Sequence, residues 1–328
     1  MKNINTKISV VLSFYNEQSV LPELVRRLRS VFSALIEQHS VESYELIFVN
    51  DNSTDESEKY LRSELSAGDI VIVNMSRNFG VSECVMAGLA QAQGDAVIYM
   101  DADLQDPPEV IPQLIQAWQA DNETEVVYTT RTHRKGEHWL KLTITKFGYR
   151  FINAISEIEL QVDSGDFKLL SRRAVNSLLQ LKEDKPYMRG LVSWIGFKQK
   201  QIFYERSERL DGRENAKFNM LSRRVIYYWL DRALISFSDA PLKLILILGF
   251  GLSFFSFLYI LVVIGQKFMG LSVPGWAAIM SAVLLIGGVQ IMMLGFIGLY
   301  ISAIFREVKQ RPRYIVKEVV TRSGQITP

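Results

Sequence analysis

Two long uncharged stretches near the C-terminus constrain this chain more than any other feature. Leu244–Ile264 and Trp276–Phe305 carry no charged side chain, and Gln290 is the main polar interruption of the second. As a helix rising about 1.5 Å per residue, the first would reach about 32 Å, enough to cross a bilayer. The link between them, Gly265–Gly275, holds Lys267 as its one charge. The sequence therefore predicts a transmembrane hairpin over 241–305, with spans at about 244–264 and 276–305. Arg223, Arg224, Arg232 and Lys243 precede the first span, and Arg306, Lys309, Arg311 and Arg313 follow the second. Basic flanks favour the cytoplasmic side, so both termini are expected there. A hairpin this apolar suits an anchor rather than a transporter.

What precedes the anchor reads as an ordinary globular domain. Of the 328 residues, 48% are hydrophobic, and the excess over a soluble protein sits in the two apolar runs. The formal net charge of +2 gives no footprint for nucleic acid. Cys84 stands alone, which excludes an intramolecular disulfide and a cysteine-rich zinc site, and it reads as a small buried hydrophobe. The N-terminal MKNINTKISVVLSFYNE lacks the apolar core and cleavage site of a secretory signal, so the first domain is expected in the cytoplasm. Between the two regions, Lys217–Phe237 interleaves Phe218, Leu221, Val225, Tyr228 and Trp229 with Arg223, Arg224 and Arg232. That mixture predicts an amphipathic helix at the membrane interface, over about 216–240. A core-packing helix is the plainer alternative.

Within 1–130, short apolar runs recur at Ile8–Phe14, Glu45–Asn50, Ile70–Asn74, Ala96–Met100 and Val126–Thr130. Helical patterns fill the gaps at Val20–Ile36, Glu56–Leu65, Ser82–Ala92 and Glu109–Trp118. The alternation predicts βαβ units around a mostly parallel sheet, the core of a cytoplasmic α/β domain over 1–215. A cytoplasmic tail over 306–328 is expected to contain a short strand, Tyr314–Val320, after Pro312.

Parallel sheets bind ligands beyond the carboxyl ends of their strands. Three motifs fall there: Tyr15-Asn16-Glu17, Asp51-Asn52-Ser53 and Asp101-Ala102-Asp103. An isolated D-x-D arises about once by chance in a chain of this length. Its position at a strand end, beside two companions, gives it weight. Tyr15 can pack near a nucleobase, and Glu17 can accept bonds from ribose hydroxyls. Ser53 or Asp55 can be explained as caps for the next helix, whereas Asp51 cannot. Arg77 and Asn78, in SRNFG, suit diphosphate or base contacts. Asp101 and Asp103 supply hard oxygen ligands for Mg²⁺ or Mn²⁺ bridging to phosphate. Asp106 could serve only to start the helix after Pro107 and Pro108.

In this order, VVLSFYNE, FVNDNSTDES, SRNFG, DADLQDPPE, SGDFKLLSR, an Arg-rich segment and two C-terminal spans resemble the family-2 inverting glycosyltransferases. The resemblance is to the membrane-anchored polyprenyl-phosphate group, which includes dolichol-phosphate mannose synthases and bactoprenol glucosyltransferases. It implies a GT-A-like nucleotide-diphosphosugar transferase fold. It also implies transfer of a hexose, with glucose and a UDP donor favoured, to polyprenyl (bactoprenyl) phosphate at the bacterial inner membrane. By the same resemblance, Tyr15, Glu17 and Asp51 bind the nucleotide, and Asp103, with Asp101, holds it through the divalent cation. Arg77 in SRNFG and Arg131 in the following cationic loop are expected at the nucleotide sugar from their own positions. Asp166 in SGDFKLLSR lies near the acceptor, with Asp163 as a weaker candidate, and Arg189 lies near the sugar. Arg206, Arg209 and Lys217 meet the lipid phosphate. Relatives imply a homo-oligomer, a tetramer being one form.

Three departures stand out. Ser13 replaces a common proline, Asn50 replaces the first acid of an Asp-Asp pair, and Gly212–Lys217 carries an apparent insertion in which Arg213 can share the role of Lys217. His133 and His138, among Arg131, Arg134 and Lys135, read as part of a cationic loop rather than as metal ligands. A lipid phosphate is largely dianionic at neutral pH and hardly needs deprotonating. Asp166 is therefore expected to orient or to stabilise charge, with the general base as the competing role. Two other readings differ in class. A processive polysaccharide synthase would carry a Gln-x-x-Arg-Trp element and more spans. A non-catalytic nucleotide-sugar-binding scaffold would not need Asp101, Asp103 and Asp166.

Overall fold

The computed structural model describes residues 6–132, 164–183, 186–207, 240–269 and 275–326. One compact unit gathers the described residues through 207 together with the segment from Arg311, and the two C-terminal helices form a second.

The first unit is built on β1 (Lys7–Phe14), β2 (Ser43–Asn50), β3 (Ile70–Met75) and β4 (Ala96–Asp101), linked by α1 (Leu21–Glu37), α2 (Ser57–Glu64) and α3 (Val81–Gln91). These four strands lie parallel in the order β4-β1-β2-β3. Both faces of the sheet are covered, which is why the strands read as continuous apolar runs rather than alternating ones. On one face Ile8, Val10, Leu12 and Phe14 pack with Leu24, Leu28 and Phe32 of α1 and with Leu114 and Ile115 of α4 (Ile111–Gln119). On the other, α3 lies so close to β1 that a Cβ at Gly88 would sit 2.3 Å from Val11 Cγ1. Only glycine fits there.

The predicted strands and helices of this half form within one or two residues of their expected bounds, and the central sheet is parallel as expected. The flanks add antiparallel pairs. β5 (Val126–Arg131), β6 (Ser164–Ser171), α5 (Arg172–Gln180), α6 (Met188–Trp194) and β7 (Gln199–Tyr204) complete one side. β6 runs antiparallel between β4 and β5, and β7 pairs parallel with β5. On the far side the tail strand β8 (Val316–Thr321) pairs antiparallel with β3 and turns into β9 (Gly324–Ile326). The predicted tail strand thus closes the edge of the domain's own sheet.

The second unit consists of α7 (Ala240–Phe268) and α8 (Trp276–Val308). Among the described residues one segment, Leu285–Val308, is long and apolar enough to cross a membrane, and its most apolar stretch is not buried. The expected interfacial helix at 216–240 lies outside the described residues.

Candidate active site

The loops after β1 and β2 are clasped together by short polar side chains. Asn16 and Asn52 take left-handed backbone conformations, with φ of 57° and 61°, which asparagine tolerates better than most residues. Ser53 Oγ accepts the Asn16 amide at 3.0 Å, and Asn16 Oδ1 accepts the Thr54 amide at 2.8 Å. Ser57 Oγ and Asp55 Oδ2 accept the amides of Glu17 and Gln18. Ser53 is therefore a clasp rather than a cap. Asp55 also accepts the Ser57 amide through Oδ1 at 3.1 Å, while the N-cap position itself is Glu56.

Asp51 has a structural employment that its sequence context did not reveal. Its two carboxylate oxygens accept the amides of Phe79 and Gly80, at 2.7 and 2.9 Å, and so fix the SRNFG loop. Gly80 sits at φ 106° there, a conformation that side-chain-bearing residues rarely adopt. Arg77 folds its guanidinium over the Phe79 ring, 3.9 Å from the centroid, and stays exposed. A cavity of about 210 Å³ opens beside this loop, lined by Tyr15, Glu17, Asp51, Cys84, Asp101 and Asp103 among others. Tyr15 is 47% exposed at its mouth, and Cys84 is fully buried in its wall with its thiol pushed up by that burial.

Asn50 now has a physical account. Its amide donates to Asn74 Oδ1 at 2.9 Å and accepts from the Ser53 amide at 2.8 Å, so both ends are used. Asn74 in turn donates to Glu58 and to Glu318 of the tail strand, which also pairs with Arg62. A carboxylate at position 50 would face Glu58, whose Oε2 lies 3.5 Å from Asn50 Nδ2. Ser13 places a hydroxyl 3.5 Å from Asp101 Oδ1, at the outer limit of a hydrogen bond.

Acids and bases from four elements meet at the ends of β4 and β6. The β4–β6 register pairs Tyr99 with Lys168, and extending it by two residues sets Asp101 opposite Asp166. Arg189, from α6, grips Asp166 through Nε–Oδ1 at 2.8 Å and Nη2–Oδ2 at 2.6 Å. Burial alone would raise the Asp166 carboxyl. The Arg189 hydrogen bonds and charge outweigh it and hold Asp166 below the usual carboxylate range. Asp101 goes the other way: burial, then the charges of Asp166, Asp103 and Asp106, push it up to about 7. Asp103 Oδ1 accepts the Gln105 amide at 3.1 Å. No group of three or more His, Cys, Asp or Glu forms a metal cage among the described residues. The donor set nonetheless fits a hard cation completed by phosphate oxygens, since Asp101 and Asp103 bring two hard carboxylates to one loop.

Three residues of this site escaped the sequence reading. Lys168 is 1% exposed on the same strand as Asp166, and burial lowers its ammonium to about 8. Asp106 is not a helix-start residue: the next helical turn is capped at Pro107, and the Asp106 carboxylate is buried against the Tyr204 phenol, which donates to it. Tyr204 also receives Arg131 Nε at 3.4 Å, and Arg206 Nε lies 3.8 Å from Asp106 Oδ1. A buried acid and tyrosine at strand ends are indistinguishable from loop residues in sequence until the β5–β7 pairing joins them. Asp163, Arg209, Arg213, Lys217, His133 and His138 lie outside the described residues.

Known proteins resemble this chain along much of its length. The family model described as Glycosyl transferase family 2 matches residues 9–179. The uncharacterized glycosyltransferase YkcC of Bacillus subtilis (strain 168) is 39% identical over 312 residues, 94% of this chain and 93% of its own. The SfII prophage-derived bactoprenol glucosyl transferase of Shigella flexneri is 35% identical over 315 residues, 95% of this chain and 98% of its own. Among solved structures, glucosyl-3-phosphoglycerate synthase from Mycobacterium tuberculosis, in complex with Mn²⁺, UDP and phosphoglyceric acid, is 24% identical. It covers 70% of this chain and 78% of its own, with a TM-score of 0.47. The matched segment spans the strands and helices that carry the acidic site, and the relatives align along nearly the whole chain. The chain, with its GT-A-like α/β domain, belongs to glycosyl transferase family 2.

Proposed function

We propose that this protein transfers a single hexose, glucose favoured, from a UDP-sugar to bactoprenyl phosphate, with inversion, at the cytoplasmic face of a bacterial inner membrane. The observation that carries this is the meeting of the Asp101–Asp103 loop with the Asp166–Arg189 pair at adjacent strand ends. Near-full-length similarity to bactoprenol glucosyl transferases supports the choice of acceptor. Two spans at 244–264 and 276–305 anchor the domain in this reading, with both termini cytoplasmic and the working form a homo-oligomer.

Tyr15 and Glu17 line the cavity that takes the nucleoside, while Arg77 and Arg131 meet the diphosphate. Asp51 acts through the loop it fixes. Asp103, with Asp101, holds Mg²⁺ or Mn²⁺, which when bound neutralises charge on the departing diphosphate. Arg206, Arg209 and Lys217 receive the lipid phosphate. One of its oxygens bonds to the anomeric carbon as the bond to the UDP β-phosphate breaks, and that electron pair leaves with UDP. The acceptor brings its own negative charge, so no side chain has to remove a proton.

Asp166 is poorly suited to be a base, because both oxygens are committed to Arg189 and its pKa is depressed. Its role is to orient Arg189 and to oppose positive charge developing on the sugar ring. The proposal is tested by incubating the full chain with undecaprenyl phosphate, Mg²⁺ or Mn²⁺ and a panel of UDP- and GDP-sugars. A lipid heavier by one hexose is expected with UDP-glucose. Nucleotide-sugar binding without any lipid product would favour the scaffold reading.

A further inference from the structure

The loop that carries Asp103 is joined to the strand end that carries Arg206 by a buried polar seam. At its centre Asp106, 1% exposed, accepts the Tyr204 phenol and lies 3.8 Å, through Oδ1, from Arg206 Nε. Asp106 Oδ2 and Arg206 Nε are both buried, and neither has a hydrogen-bond partner among the described residues. The backbone closes the same seam, since the Ser207 amide donates to the Gln105 carbonyl at 3.0 Å. Arg131, paired with Tyr204 in the β5–β7 ladder, donates to the phenol from the other side.

A buried carboxylate left half-satisfied is unfavourable, and no helix cap accounts for it here. The group it faces is a guanidinium whose inner N–H is equally unsatisfied. An arginine held at Nε keeps its two terminal amino groups for bidentate pairing with a phosphate.

We propose that Asp106 is a positioning residue, whose buried charge, paired with Arg206 Nε across 3.8 Å, aims the guanidinium at the acceptor phosphate. Through it, the loop of the two metal-binding acids and the strand end that meets the lipid become one mechanical piece. The inference rests on the reading of Arg206 as a lipid-phosphate residue. It opposes simple electrostatics, because removing a negative charge beside Arg206 should otherwise strengthen phosphate binding.

The test is equilibrium binding of undecaprenyl phosphate to the full chain in detergent, with undecaprenol as the phosphate-free control. Asp106→Asn should weaken phosphate-dependent binding about tenfold, as expected for loss of one charge-assisted contact. Asp106→Asn combined with Arg206→Ala should bind no more weakly than Arg206→Ala alone, and undecaprenol binding should not change. Unchanged or tighter binding by Asp106→Asn, where Arg206→Ala weakens it, overturns the inference and leaves the acceptor reading standing. Unchanged binding by Arg206→Ala overturns both. Should Asp106→Asn fail to fold, Tyr204→Phe carries the same test: weaker binding supports the positioning role, and wild-type affinity refutes it.

Discussion

Arg189 holds both carboxylate oxygens of Asp166, at 2.8 and 2.6 Å, and the charge of Asp166 helps push the Asp101 carboxyl up. The pair unites an acid from β6 with a base from α6 near the point where the Asp101–Asp103 loop leaves β4. In the proposed function this pairing makes Asp166 an oriented anion rather than a proton acceptor. Asp166→Asn should lower kcat on the order of 10²- to 10³-fold, the scale of losing one preorganised electrostatic group. The shape of the pH–rate profile should stay as in the wild type. Disappearance of an acidic limb in the variant would instead identify Asp166 as the base.

Arg189→Gln removes the grip and leaves the half-buried carboxyl to its partial desolvation. Asp166, now held below its ordinary value, should then titrate higher. A depressed carboxylate contributes stability above its unfolded pKa and loses it as pH falls through the folded one. The wild type should therefore lose thermal stability on acidification below about pH 4 by more than the variant does. Matching acid profiles for the two proteins would contradict the pairing.

Lys168 gives the opposite sign. Its folded pKa, lowered by burial to about 8, lies below the ordinary value of 10.5. Between those values the unfolded chain binds more protons, so folding stability should rise with pH across that window. The gain is about 3 kcal/mol at most. Lys168→Met should flatten the rise in thermal midpoint between pH 8 and 10. A variant that keeps the slope would show that Lys168 is not its source.

Metal dependence should follow the two acids unequally. Chelation by EDTA should abolish transfer, and Mg²⁺ or Mn²⁺ should restore it. Asp103→Asn should raise the metal concentration for half-maximal rate by about tenfold or more, on the scale of losing one carboxylate ligand. Asp101→Asn should have the smaller effect, and the reverse order would reassign the direct ligand.

Asn50→Asp should destabilise the domain by about 1–3 kcal/mol. It places a second acceptor against Asn74 Oδ1 and adds charge beside Glu58. The readout is the thermal midpoint, with Glu58→Gln predicted to recover part of the loss.

The sequence made the central sheet legible because both its faces are buried and its strands are therefore unbroken apolar runs. Asp101 and Asp103 were legible because they follow such a run, and Asp166 because its neighbours matched a family motif. β6 and β7 were not legible. SGDFKLLS mixes Asp166 and Lys168 into a strand, and QKQIFY is half exposed at a sheet edge. Polar residues in both erase the period that marks a strand. Asp51 was legible as unusual but not as the clamp on Phe79 and Gly80, since that partner loop is joined to it only by the β2–β3 pairing. The seam of Asp106, Tyr204 and Arg206 depends on contacts across almost a hundred residues, which no local pattern encodes.

The most direct measurement is the mass and anomeric configuration of the lipid recovered after the full chain meets undecaprenyl phosphate, UDP-glucose and Mg²⁺. The account predicts one glucose per lipid phosphate, β-linked from the α-linked donor, with equimolar UDP. Unmodified lipid, a polymeric product, or an α-linked sugar would contradict it.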